Sequence, residues 1–215
     1  MKAKAIPSTG TTHSNPLKAR RNDLTIVGRK VGLGPARPDL EPVYFRWVEE
    51  WQRVESILEP PPLPPIMITA AGPTGWSAGD WPDEAWFTIY ELEELRPIGH
   101  LALLDIDLLD DTASLLLFIG EPWARGQGFG TEALKLMVDY AFQVLELQTM
   151  ETIIGEFNLA GLRAYTRAGF HEVERRRRIY QGMLWNDIVL ECQAIDQVSP
   201  LLRGFSTLPQ MRSHL

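Results

Sequence analysis

The feature that most constrains the fold is a change of pattern near the middle of the chain. Leu115-Leu116-Leu117-Phe118-Ile119 is an apolar run of strand length, and Arg125-Gly126-Gln127-Gly128-Phe129-Gly130-Thr131 follows closely. Beyond it Leu134, Met137, Val138, Ala141, Val144 and Leu145 recur at three- and four-residue steps, the period of one helix face. The order is therefore strand, glycine turn, helix. Three glycines remove side chains where the backbone must curl and leave several N–H groups aimed into one concavity. The helix start adds first-turn N–H groups that lack intrahelical partners, and the positive end of the helix dipole. Such a place accepts a phosphate or pyrophosphate without a metal ion. It points to an enzyme that uses a nucleotide or a coenzyme.

The spacing tests the best-known rivals. A P-loop requires Lys followed by Ser or Thr after its last glycine, and Gly130 is followed by Thr131-Glu132. A dinucleotide fingerprint starting at Gly126 requires a glycine where Thr131 stands. Neither fits, and a plain tight loop with three turn glycines remains as the bland alternative.

The next forty or so residues decide between them. IGEPWARGQGFGTEALKLMVDYAF and then FNLAGLRAYTRAGF resemble the two acetyl-CoA-binding motifs of the GCN5-related N-acetyltransferase (GNAT) family. The first matches the pattern Q/R-x-x-G-x-G/A at Arg125 to Gly130, and the second runs from Asn158 through Tyr165 to Gly169-Phe170. The closing segment Arg175 to Leu190, with Tyr180, Gly182, Trp185 and Asp187, is similar to the ribosomal-protein alanine acetyltransferase branch. The clear resemblance covers roughly residues 84 to 195 and is fainter from Leu24 to Leu58. It implies a mixed α/β fold: a mostly antiparallel sheet flanked by helices, the acyl-CoA N-acyltransferase architecture.

A length of 215 residues fits one domain with tails or a modest insertion. The expected division is a flexible extension over 1–23, an N-acetyltransferase domain over 24–195 and a tail over 196–215. The formal net charge of −7 disfavours nonspecific nucleic-acid binding and suits cationic amine substrates. The lone Cys192 excludes an intrachain disulfide and fits a reducing compartment. No apolar run approaches the ~18 residues of a membrane span, and the first twenty-odd residues lack the apolar core of a secretory signal. The expected setting is cytoplasmic, without membrane contact. The oligomeric state stays open, a homodimer included.

Along the chain, Leu24 to Leu33 reads as a first strand approach loosened by Gly28 and Gly32. Leu40, Val43, Tyr44, Trp47, Val48 and Trp51 form a helical face, with Asp39 able to cap it and Pro42 tolerable in its first turn. Pro60 to Pro65 predicts a stiff extended connector, and Gly72 to Pro82 a turn-rich loop holding Trp76 and Trp81. Strands are expected over Ala85–Tyr90, Pro97–Asp105, Thr112–Ile119 and Met150–Phe157, with a short helix over Leu159–Ala168 stopped by Gly169. A closing strand pair is expected over 172–180 and 184–192.

The resemblance also implies site roles. Amides of the Arg125-Gly126-Gln127-Gly128-Phe129-Gly130-Thr131 loop would hold the coenzyme pyrophosphate, with Arg125 either touching phosphate or bracing the loop. Strand-end amides over Phe118 to Gly120 would pair with the pantetheine arm, one of them serving as oxyanion donor. Asn158 would bond the same arm, cap the following helix, or both. Tyr165 lies seven residues beyond Asn158, two helical turns on and nearly the same face. It would be the general acid that protonates the departing thiolate, with core packing as the alternative. Acetyl-CoA is then the cosubstrate, no metal is required, and the acceptor is a primary amine attacked directly in a ternary complex. That acceptor is either a protein N-terminus or a small amine such as a polyamine or aminoglycoside-like antibiotic. A noncatalytic acyl-CoA-binding or sensor module is the reading from another class.

The general base is not legible. Many relatives carry glutamate in the segment matching Thr112 to Leu115, where this chain has Ser114. Glu84, His100, Asp105 and Asp107 are the replacement candidates, and base catalysis through ordered water needs no fixed carboxylate. Arg175 to Arg178 alternates faces in a strand and reads as a solvated face. His13, His100, His171 and His214 show no metal-ligand spacing with one another or with Cys192, and Cys192 is assigned to the core. Trp76, Trp81 and Trp86 suit either an acceptor pocket or a loop anchor.

Overall fold

The computed structural model describes residues 18–55, 83–180 and 183–196. The proline connector at 60–65, the loop at 72–82 with Trp76 and Trp81, and residues 1–17 and 197–215 lie outside the described residues. Packing starts before the expected boundary at Leu24. Ala19 is buried, its N–H donates to the Leu95 carbonyl at 3.1 Å, and a 3-10 turn follows over Arg21–Asp23.

Among the described residues eight strands form one sheet, in the order β1-β2-β3-β4-β5-β6-β8-β7. They are β1 (Ile26–Val27), β2 (Val31–Pro35), β3 (Ala85–Glu91), β4 (Pro97–Asp107), β5 (Thr112–Ile119), β6 (Thr149–Gly155), β7 (His171–Tyr180) and β8 (Met183–Gln193). Among the described residues three α-helices accompany them: α1 (Glu41–Glu55), α2 (Phe129–Gln143) and α3 (Leu159–Ala168). Every neighbouring pair is antiparallel except β5–β6, which α2 joins in parallel. The single strand expected over Leu24–Leu33 is instead the tight hairpin β1–β2, because the chain reverses at Gly28–Lys30.

The sheet separates two apolar layers. On one face Leu134, Met137, Val138 and Ala141 of α2 pack with Leu33, Ile89, Leu101, Leu115, Ile154 and Ile188, and Tyr165 and Ala168 of α3 join them. On the other, Leu40 with Val43, Tyr44 and Trp47 of α1 packs against Tyr90, with Phe118 at the edge of the cluster. Strand alternation produces this split, since successive side chains point to opposite faces. Asp39 does not cap α1: it lies in a 3-10 turn and accepts a hydrogen bond from Arg37 Nε at 3.0 Å. Helix α3 ends as its sequence predicts, with Gly169 left-handed at φ 109° and its N–H turned back to Thr166 and Tyr165.

Candidate active site

The parallel pair β5–β6 holds for three rungs only, Thr112 with Thr149, Ala113 with Met150 and Ser114 with Glu151. Both strands then continue, to Ile119 and to Gly155, without pairing to each other. The result is a V-shaped opening with its apex at the Ser114–Glu151 rung. It lies immediately before the glycine loop in the chain. Main-chain groups on the inner edge of β5 have no strand ladder to join there, so they are met by side chains or can meet another amide-bearing group.

Which groups face the opening follows from the β4 pairing. The Gly120 N–H donates to the Ile98 carbonyl at 2.9 Å, with Gly99 opposite Ile119 and His100 opposite Phe118. Alternation in an antiparallel ladder then turns Phe118 toward β4 as well. The carbonyls of Leu115 and Ile119 point the other way, accepting from the Tyr165 hydroxyl at 2.9 Å and Arg125 Nε at 3.0 Å. Within the expected span Phe118 to Gly120, only Ile119 therefore turns its amide into the opening, while Phe118 and Gly120 face β4. The inward amides are those of Leu117 and Ile119. Gly120 has another role: a Cβ there would stand 2.1 Å from the Trp47 ring. Trp47 Nε1 also donates to Glu121 at 2.9 Å, and Arg46 pairs with the same carboxylate, so α1 is pinned to this turn.

The three loop glycines do different work. Gly126 and Gly128 have φ of +72° and +84°, which side chains resist, and the space where their Cβ atoms would stand is open. A Cβ on Gly130 would instead meet Leu117 at 3.1 Å and Ile119 at 3.4 Å, so that glycine lets α2 approach β5. Gly128 is the N-cap of α2, and the first intrahelical bond runs from Glu132 N–H to its carbonyl. The N–H groups of Phe129, Gly130 and Thr131 occupy the first turn, where no i−4 carbonyl exists. Arg125 braces the loop: its guanidinium donates to the carbonyls of Ile119 and Gly120, both at 3.0 Å.

A carboxylate at Glu132, in the first turn of α2, would repel a phosphate at the helix start. It is drawn aside. Glu132 Oε1 accepts from the N–H groups of Arg29 at 2.5 Å, Lys30 at 2.7 Å and Val31 at 3.4 Å, the turn between β1 and β2. The same turn brings Lys30 Nζ to the Gln127 carbonyl at 3.3 Å, adding a positive charge beside the loop. No local pattern in the sequence signals this contact between residues 103 positions apart.

Tyr165 projects from α3 to the apex of the opening. Its ring is buried edge-on to Phe170, with centroids 5.1 Å apart. Burial raises its pKa well above the usual phenol, with hydrogen bonding to Thr152 and the Leu117 amide opposing. The hydroxyl thus stays protonated and has Leu115 O, Thr152 and Leu117 N–H around it. Asn158 sits where β6 has ended, and its Oδ1 accepts from Gly161 N–H at 2.9 Å as the cap of α3.

The base candidates drawn from sequence are dispersed. Asp107 Oδ1 accepts from Leu109 and Asp110 N–H at 2.8 and 3.1 Å, closing the β4–β5 turn. Glu84 accepts from Trp86 Nε1 at 2.8 Å. Asp105 is an exposed residue with φ of 51° beside the β4 irregularity. His100 packs against Trp86 and Phe118, and burial pushes its pKa down to about 4.

In the arginine run, Arg175 pairs with Glu172 at 2.5 Å, Arg176 with Glu174 at 2.6 Å and Arg178 with Asp187 at 2.6 Å, on an edge strand. Cys192 is buried among core side chains. Among the described residues no cluster of His, Cys, Asp and Glu is placed to hold a metal, and no helix is long and apolar enough to cross a membrane.

The chain is similar to several known proteins. Residues 30–171 match the acetyltransferase (GNAT) domain family. The probable N-acetyltransferase YjcK of Bacillus subtilis is 31% identical over 106 residues, a match that spans 49% of this chain and 59% of that relative. Human alpha/beta-tubulin-N-acetyltransferase 9 is 26% identical over 168 residues, 73% of this chain and 79% of that one. Among solved structures, RimJ of Mycobacterium smegmatis in complex with CoA-disulfide has a TM-score of 0.65 at 18% identity, covering 82% of this chain and 88% of its own. Spermidine N-acetyltransferase of Vibrio cholerae, in complex with CoA and spermine, has a TM-score of 0.61 at 15% identity, covering 78% and 97%. At those identities the likeness is one of fold. With the domain match reaching from the β1–β2 turn to the first residue of β7, the chain belongs to the GNAT family of acetyltransferases, and its enzyme class is acetyl-CoA-dependent N-acetyltransferase.

Proposed function

We propose that this protein moves an acetyl group from acetyl-CoA to a primary amine by direct attack within a ternary complex. The observation that carries the reading is the β5–β6 opening, with inward amides on one edge, the glycine loop and helix start at its mouth and a protonated Tyr165 at its apex. The pyrophosphate lies on the amides of the Arg125–Thr131 loop, where each charge-assisted bond contributes roughly 1.5–3 kcal/mol. The helix end adds up to ~2 kcal/mol. The pantetheine arm runs along β5, exchanging hydrogen bonds with the Leu117 carbonyl and the Ile119 N–H in place of the missing strand, and Asn158 closes on it from the other side. The Leu117 N–H, beside the Tyr165 hydroxyl, is placed to stabilise the oxyanion. Tyr165 releases Leu115 O and gives its proton to the departing thiolate.

For the acceptor, the relatives' names divide between protein substrates and polyamines, and the net charge of −7 suits any ammonium-bearing partner. A protein N-terminus and a small amine are both retained. The noncatalytic reading rests on Ser114, which cannot act as a base unaided. The test is release of free thiol from acetyl-CoA by purified protein given an Ala-starting peptide, spermidine and an aminoglycoside in turn. Amine-dependent thiol release is expected. Coenzyme binding without such release would favour the sensor reading, and absence of both would overturn the assignment.

A further inference from the structure

We propose that Glu151 is the general base, reaching the reacting amine from the face of the sheet opposite Tyr165. The inference rests on the reading that the β5–β6 opening holds the acyl group. The Ser114–Glu151 rung is the last before the strands part, so its side chains border the apex directly. Paired residues of neighbouring strands share a face and stand about 4.8 Å apart across the ladder. Met150, Thr152 and Ile154 of β6 lie on the side of α2 and α3, where Met150 and Ile154 join the core and Thr152 meets the Tyr165 hydroxyl. Strand alternation therefore sets Glu151 and Ile153 on the opposite side, as it does Ser114 and Leu116 of β5. Of these four, only Glu151 can take a proton. It is exposed, so it can also return that proton to water.

The groups around it are consistent with this use. From β8, Glu191 stands opposite Glu151, with Asp187 further along the same face. From β7, Arg176 feels the Glu151 charge and is itself paired to Glu174. From β5 no ionisable side chain faces it, since Ser114 and Leu116 occupy those positions.

The proton count closes. The ammonium acceptor gives one proton to Glu151, which passes it to solvent. The neutral amine then attacks the acyl carbon, the C–N bond forms and the C–S bond breaks. The second proton leaves nitrogen through Glu151 to solvent, the thiolate takes the Tyr165 proton and the tyrosinate regains one from solvent, so one proton is released per transfer. Base and acid flank one rung from opposite faces, so nucleophile and leaving group need not exchange places.

The experiment compares two acceptors in the full-length protein with acetyl-CoA: spermidine, charged at neutral pH, and hydroxylamine, already neutral there. Glu151→Gln should lower kcat/KM for spermidine at pH 7 by roughly 10²-fold or more, with KM for acetyl-CoA unchanged. The same variant should keep its hydroxylamine rate within about threefold, a margin far below the usual loss of a base. The rising limb of its spermidine pH profile should move to higher pH, because the reaction then draws on the neutral amine fraction alone. Glu172→Gln, a carboxylate on the edge strand β7 paired to Arg175, should retain the wild-type profile, and Glu151→Asp should restore part of the spermidine rate. Equal losses with both acceptors, or no loss with spermidine, would overturn the assignment to Glu151. If the wild type acetylates an Ala-starting peptide or an aminoglycoside rather than spermidine, that acceptor takes the place of spermidine in the comparison; a wild-type protein that turns over none of these amines would instead remove the transferase reading on which it rests.

Discussion

Replacing Gly128 separates backbone strain from charge at the proposed phosphate site. Gly128 has φ of +84° and nothing within 4 Å of where a Cβ would stand, so a side chain meets no neighbour and the penalty is conformational. A left-handed non-glycine residue costs roughly 1–2 kcal/mol. For a chain of this size 1 kcal/mol corresponds to about 2–4 °C in Tm, so Gly128→Ala should melt some 2–8 °C lower without ligand. Gly128→Asp carries the same strain, partly offset because a carboxylate at a helix start is worth about 0.3–1 kcal/mol. The ligand reverses that ranking. CoA at a hundred times its Kd stabilises by ~2.7 kcal/mol, a rise of roughly 5–11 °C on the same conversion. Gly128→Ala should retain most of that rise, whereas Gly128→Asp should lose it, since its carboxylate stands where the pyrophosphate must lie. Differential scanning fluorimetry with and without CoA reads both quantities. A Gly128→Asp protein that keeps the full CoA shift would remove the phosphate-cradle assignment.

Tyr165→Phe should lower kcat about 10²–10⁴-fold with CoA affinity retained, and should cost ~1–3 kcal/mol of stability because Leu115 O loses its buried partner; steady-state kinetics beside calorimetric CoA titration decides, and unchanged kcat would return Tyr165 to core packing. Glu132→Ala frees the amides of Arg29, Lys30 and Val31, so their hydrogen exchange should accelerate while CoA affinity drops severalfold as Lys30 and the loop lose their tether. Exchange at those amides that stayed slow would refute the tether. Individual replacement of Glu84, His100, Asp105 and Asp107 should each leave more than about a tenth of the rate, well short of the usual cost of losing a base. Ser114→Glu should shift the rising limb of kcat/KM to lower pH, since a second carboxylate then faces the apex; a hundredfold loss in any of the four single variants, with fold and CoA binding intact, would identify a different base.

The glycine loop and the helix start after it were legible in the sequence because their causes are local. Glycine spacing and helical periodicity act over a few residues, and the α3 boundaries at Asn158 and Gly169 follow from cap chemistry in the same way. Sequence could not separate the glycines from one another. Gly126 and Gly128 are needed for positive φ and open space, whereas Gly130 and Gly120 are needed because Leu117 and Trp47 come close, and those neighbours arrive from other elements. Which amides of the span Phe118 to Gly120 face inward could not be read from sequence for a related reason. Strand alternation is readable, but its phase against the opening is set by pairing with β4 through Ile98, which is a tertiary fact. The same holds for Glu132 with the β1–β2 turn and for Glu151 beside Ser114. In each case one partner is an unremarkable glutamate in sequence, and only the strand register brings it to the site. Local backbone chemistry determined what kind of site this chain could build; non-local register decided which side chains surround it.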